Sequence, residues 1–326
     1  ILIITLLCLI ANNPSHGKMC ETPKNPKSLD VKAPKIIENK RTFNNSRIET
    51  ILSNRKTINV FRAWQYKKPA FLYSLYWSGG DTAKPRINNN SFALREFYWA
   101  YYYPNQKWLN YPGIDKFLSK KSWGAPSWEE YGETVHINYT NPNFTNYFVN
   151  LIKNWTKDHD GVMFDLWKDN HKHYKGQSKN IVKEYRRKIA QSIRDEMGND
   201  FIILGNVNWE MENHTHDLIN GVFLELYKDK KIGYSCSEIK KIEKVINYHE
   251  KNLSYPKLIA VNTWKISKKN INRSSHENIK FAKLFTAMAM VIPENGYILY
   301  GDNNFDHKDN DHDHIFYNFY NIDLGK

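Results

Sequence analysis

From residue 69 onward, apolar runs of strand length alternate with longer stretches whose apolar positions recur at helical spacing. Pro69 to Trp77 reads as one strand and ends in the loop signal Gly79-Gly80-Asp81. Glu133 to Asn138 alternates like an edge strand, and Asn141-Pro142 then predicts a helix start. That helix carries Phe144, Tyr147, Phe148, Leu151, Ile152 and Trp155 on one face. Gly161-Val162-Met163-Phe164 is a short, wholly apolar run, as expected of a buried parallel strand. A helix striped by Ile181, Tyr185, Ile189, Ile193 and Met197 follows and stops at Gly198. The runs at 201–210, 221–225, 256–264 and 296–302 repeat the strand pattern. Between the last three lie helices, one opening at Ser237 with Ile239, Ile242, Val245 and Ile246 inward, the other through Ile279, Leu284, Phe285 and Met288. If the 69–77 run is strand three, and Lys35–Ile37 and Ile48–Leu52 supply the first two, the count closes at eight. The fold expected is a single-domain (β/α)8 TIM barrel over residues 20–326. A long aromatic insertion, Phe92 to Tyr131, follows strand three and would wall a cleft on the catalytic face.

Two of these strands end alike. Gly161 to Phe164 runs into Asp165, then Leu166 and Trp167; Gly221 to Leu224 runs into Glu225, then Leu226 and Tyr227. One acid at a strand end is an ordinary helix cap, and Asp165 could equally pair with Lys168. Two at matching positions form the layout of a paired-carboxylate glycosidase. The apolar neighbours of Glu225 suit the group that stays protonated, and the polar ones of Asp165 suit the group that stays charged. Tyr76, Trp77, Trp123, Trp167, Asn206, Asn208, Trp209, Tyr227, Asn262, Trp264 and Asp302 are candidates to stack on or hydrogen-bond a sugar. Core packing or loop capping is the competing role for each.

Composition sharpens this only in part. Ten Trp and twenty-one Tyr are more than a core needs, which favours a sugar-stacking cleft. A net charge of +13 raises nucleic acid or an acidic glycan as partners. The lysines are nevertheless scattered singly or in pairs, and no nucleic-acid module is present, so none is expected to bind. The opening ILIITLLCLIA reads as a truncated signal peptide, too short to span a bilayer, with a polar leader to residue 19. A secreted or periplasmic protein without a transmembrane segment follows, in which Cys20 and Cys236 could pair. The run Asp302 to His314 has metal-binding residue types without the spacing of a calcium loop, so neither metal nor cofactor is expected.

Taken together, HINYTNPNFTNYFVNLI, HDGVMFDLW, FIILGNVNW, GVFLELY, LIAVNTW and GYILYGD resemble glycoside hydrolase families with a TIM-barrel fold, distant relatives of endo-α-1,4-polygalactosaminidases and α-galactosidases. The likeness spans roughly residues 69 to 305. It implies Asp165 as nucleophile and Glu225 as acid/base in cleaving an oligosaccharide or polysaccharide. Two rivals share the fold: a barrel that binds carbohydrate or serves the envelope without catalysis, and a metal-dependent hydrolase using the His and Asp residues after strands four and eight.

Overall fold

The apolar runs form the parallel strands at the centre of the computed structural model, which describes residues 46–64, 72–79, 85–86, 88–104, 111–119, 134–169, 178–226, 234–264, 274–301 and 314–324. In chain order the strands are β1 (Phe61–Ala63), β2 (Leu75–Ser78), β3 (Phe92–Phe97), β4 (Tyr101–Tyr102), β5 (Val135–His136), β6 (Gly161–Phe164), β7 (Ile202–Asn206), β8 (Gly221–Glu225), β9 (Leu258–Trp264) and β10 (Asn295–Gly301). The helices are α1 (Ser46–Ser53), α2 (Phe144–Trp155), α3 (Lys179–Met197), α4 (Cys236–Asn252) and α5 (His276–Val291). Apart from β4 and β5, which pair with each other antiparallel, the strands form one sheet in the order β1-β2-β3-β6-β7-β8-β9-β10. Val60 bridges Ile298 in parallel and Ile298 N donates to Asn59 O at 2.9 Å, so the last strand returns to the first. The fold is a (β/α)8 TIM barrel.

Strand alternation divides the core in two. Side chains such as Phe61, Trp77, Leu94, Met163, Leu204 and Phe223 fill the barrel, and Val162, Phe164, Ile203, Val222 and Leu224 face the helices. Strands buried on both sides explain the unbroken apolar runs. Gly161 is required by close approach, since a Cβ there would stand 2.0 Å from the carbonyl oxygen of Ile202. Ser178, Ser235 and Ser275 cap α3, α4 and α5, and Ser235 forms a reciprocal capping box with Glu238.

The early strands differ from expectation. Ile48–Leu52 lies in helix α1, and its Ile48 and Ile51, three residues apart, seal the base of the barrel. The run at 69–77 supplies the second strand, and the third, β3, is the opening of the segment expected to be an insertion. Arg95 and Glu96 interrupt the apolar run of β3, but they point to opposite sides: Arg95 lies outside, its guanidinium 4.3 Å from the Trp155 ring. Helix α2 begins after Asn143, whose side chain makes no capping hydrogen bond, and α4 is capped by Ser235, so the two starts lie two residues from Asn141 and Ser237. Ile181, expected on the inward stripe of α3, is exposed, and Arg186 occupies that face. Residues 1–45, with the signal-like run and Lys35–Ile37, and most of the Asp302–His314 tail lie outside the described residues. Cys236 is disulfide-bonded; Cys8 and Cys20 also lie outside them. No helix among the described residues is long and apolar enough to cross a membrane.

Candidate active site

The inward-facing series that fills the barrel turns polar at the C-terminal ends of the strands. Leu94 is followed on the same face by Glu96, Met163 by Asp165, Leu204 by Asn206, Phe223 by Glu225 and Ala260 by Asn262. This is the face on which TIM barrels place their chemistry.

Asn206 organises the site. Fully buried, it donates from the single nitrogen Nδ2 to Asp165 Oδ1 at 2.7 Å and to Glu225 Oε2 at 2.8 Å. Those two oxygens are therefore at most 5.5 Å apart. Its Oδ1 accepts from the backbone N of Asn208 at 3.2 Å, so the amide has only one orientation that satisfies every neighbour. Asp165 and Glu225 themselves are half-buried, open to a ligand on one side. The other oxygen of Asp165, Oδ2, accepts from the hydroxyl of Tyr101, at the start of the hairpin strand β4. Asn208 Nδ2 donates to the Glu225 carbonyl at 3.3 Å, and Lys168 Nζ donates to Asn208 Oδ1 at 2.7 Å.

A third carboxyl belongs to the same site. Glu96, at 1% exposure, accepts from the indole nitrogen of Trp64. Burial is the main force raising its pKa well above the carboxylate range, and the charges of Asp165 and then Glu225 push the same way; Tyr98 and Trp64 oppose them. Burial thus favours the neutral acid form of Glu96. The Tyr101 hydroxyl is also pushed up, by burial and then by Asp165. The three non-glycine residues with left-handed backbone among those described, Trp64, Leu166 and Asn208 (φ 53°, 51° and 50°), all follow barrel strands on this face. Strained backbone gathers where side chains must be aimed.

The expected site residues divide unevenly. Asp165, Glu225, Asn206 and Asn208 come together, and Asn262 stands opposite Glu225 in register, fully buried with its amide bonded to Leu299 O at 3.0 Å. Three aromatics expected to stack on a sugar are packed elsewhere. Trp77 is inside the barrel between Phe61 and Phe223. Tyr76 faces outward with its hydroxyl on Pro85 O at 2.7 Å. Trp167 is fully buried behind β7, its ring against Gly205 and its nitrogen donating to Thr215 Oγ1 at 2.8 Å. In each the side chain serves the core because alternation or a turn aims it there. Trp209 is half-buried, its ring 5.9 Å from that of Tyr234. Trp123, Tyr227, Asp302 and the side chain of Trp264 lie outside the described residues, as do His171 and His173. Among the described residues no group of three or more His, Cys, Asp or Glu is arranged to hold a metal ion.

Glu96, Tyr101 and Trp64 are site residues absent from the expectation. Glu96 carried a usable signal: Phe92, Leu94 and Glu96 alternate, and aromatics follow the acid, as Trp167 follows Asp165 two residues on.

Fold and site define a TIM barrel with three carboxyls converging at its C-terminal mouth. No protein-family model and no curated protein matches the chain. Among solved structures, the glycoside hydrolase domain of PelA from Pseudomonas aeruginosa is similar at a TM-score of 0.49 and 9% identity, over 75% of this chain and 94% of that one. An alpha-amylase from Geobacillus thermoleovorans is similar at a TM-score of 0.40 and 14% identity, over 70% and 60% of the two chains. A chitinase from Rhizomucor miehei is similar at 0.38 and 11%, over 68% and 73%.

Proposed function

We propose that this chain is a glycoside hydrolase that cleaves an oligosaccharide or polysaccharide through Asp165 and Glu225 with retention of configuration. The observation that carries the reading is the shared amide of Asn206, which keeps oxygens of the two carboxyls within 5.5 Å. Retaining enzymes hold the pair about 5–5.5 Å apart, whereas inverting ones leave about 6.5–9.5 Å for a water. Asp165, with a donor on each oxygen, attacks the anomeric carbon as the carboxylate. Glu225 protonates the departing glycosidic oxygen, and the bond from that oxygen to the anomeric carbon breaks. Glu225, now ionised, takes a proton from water, which displaces Asp165 and releases the sugar. No cofactor enters these steps. Export to an oxidising compartment goes with this reading, supported by the disulfide at Cys236.

The test is reducing-end release from a polysaccharide panel by the native protein and by Asp165→Asn and Glu225→Gln. Release that both substitutions abolish, with the far-UV circular dichroism unchanged, is the expected result. No release from any polysaccharide, with binding to one kept in all three proteins, would make the chain a binding barrel instead.

A further inference from the structure

We propose that Trp64 is the platform on which the sugar ring of the catalytic subsite stacks, and that Glu96 is the positioning residue that fixes its plane; this rests on the glycan reading above. Trp64 follows β1 directly, in a left-handed conformation (φ 53°) that a bulky L-residue rarely adopts. That turn carries the side chain over the mouth of the barrel rather than along the strand direction. The indole meets the edge of Phe223 at 5.7 Å and 69°, and that of Trp77 at 6.2 Å and 89°. Both rings belong to the barrel's inner column, and Phe223 lies two residues before Glu225 on the same face. The Trp64 ring therefore caps the apolar column at the level where the carboxyls begin. Its nitrogen donates to Glu96 Oε2, which pins the ring's rotation. Trp77 and Trp167 are fully buried, but Trp64 keeps part of its surface open. An aromatic face beside convergent polar groups is what the apolar side of a pyranose requires.

Glu96 Oε1 is buried with no hydrogen bond among the described residues. Replacing its carboxyl by an amide keeps an oxygen for the indole, whereas a leucine of similar size does not.

The experiment is calorimetric binding in the Glu225→Gln background, which prevents turnover, with α- and β-linked hexaoses of glucose, galactose and N-acetylglucosamine as probes. For a hexaose that the parent binds, Trp64→Ala is expected to weaken affinity about tenfold and Trp64→Phe about threefold or less. Glu96→Gln should stay near the parent, and Glu96→Leu should match Trp64→Ala. Unchanged affinity in Trp64→Ala overturns this inference and leaves the glycan reading standing. Failure of every hexaose to bind the parent, together with no release from the polysaccharide panel, overturns both. Should Trp64→Ala not fold, the contrast between Glu96→Gln and Glu96→Leu decides: equal affinities overturn the assignment.

Discussion

Asp165 directly follows β6 and Glu225 ends β8, with β7 between the two strands, yet both accept from the same nitrogen of Asn206. A buried amide that donates one proton to each carboxyl fixes their spacing, because neither can retreat without leaving a donor unsatisfied. The spacing predicts retention. Proton NMR of the first product formed should show the anomer of the substrate linkage, before mutarotation mixes the two. The opposite anomer at the earliest times would rule out the double displacement.

Removing the bridge should cost catalysis more than fold. Asn206→Ala takes a hydrogen bond from each carboxyl at once, and kcat is expected to fall on the order of a hundredfold or more. Tyr101→Phe removes only the second donor of Asp165, so about tenfold is expected. Steady-state kinetics beside a thermal melt separates the two effects: an Asn206→Ala protein with native kcat would refute the bridging role.

Much of the barrel was legible because parallel strands buried on both faces leave continuous apolar runs, as in Gly161–Phe164 and Gly221–Glu225. β1 escaped because it has only three residues, and β3 because Arg95 faces out beside the inward Glu96. Asp165 and Glu225 stood out as acids that end such runs. Tyr101 and Trp64 were invisible, since one is delivered by a hairpin folding back and the other by a left-handed turn. Position at a strand end does not say which way an aromatic points, and so Trp77 and Trp167 were misassigned to the cleft.

Glu96 gives stability a definite pH dependence. Its folded pKa is raised, by burial first and then by Asp165 and Glu225, so between about 4.5 and that raised value the native state holds a proton that the unfolded state has lost. The contribution is complete below 4.5 and disappears as pH climbs through the folded pKa. Urea titrations of Glu96→Gln, which cannot ionise, should therefore lose less stability over this rise than the native protein. Parallel curves would mean that Glu96 does not titrate as described.

Behind the site, Arg186 is fully buried between Asp169 and Glu212, the latter at 2.6 Å, and Glu212 also accepts from the amides of His214 and Thr215 at 2.7 Å each. These contacts join the loop after β6 to the loop after β7. Burial alone would raise Glu212, but Arg186 and the two amides together bring it below the usual range. Glu212→Ala removes one of the two carboxylate partners of the buried guanidinium and leaves Asp169 alone to pair with it, and a loss of about 3 kcal/mol is expected in chemical denaturation. Glu212→Gln, which can still accept from the amides, should lose less.

Acid should unfold the protein earlier than its carboxylates alone require. His249 on α4 is fully buried, with Nε2 3.2 Å from the carbonyl oxygen of Glu210. Burial depresses its pKa to about 4; His159, buried beside Arg95, is likewise depressed to about 4. Between the ordinary value of 6.5 and about 4 the unfolded chain binds protons that the native protein refuses. Stability from each histidine is therefore present above 6.5 and is lost as pH falls toward 4, by roughly 3 kcal/mol apiece at most. Melting temperatures of His249→Gln across this range should fall less steeply than those of the native protein, because one proton-binding difference has been removed. A slope as steep as the native one would show that the imidazole takes up its proton in the native state as it does in the unfolded chain, and that burial does not hold it neutral.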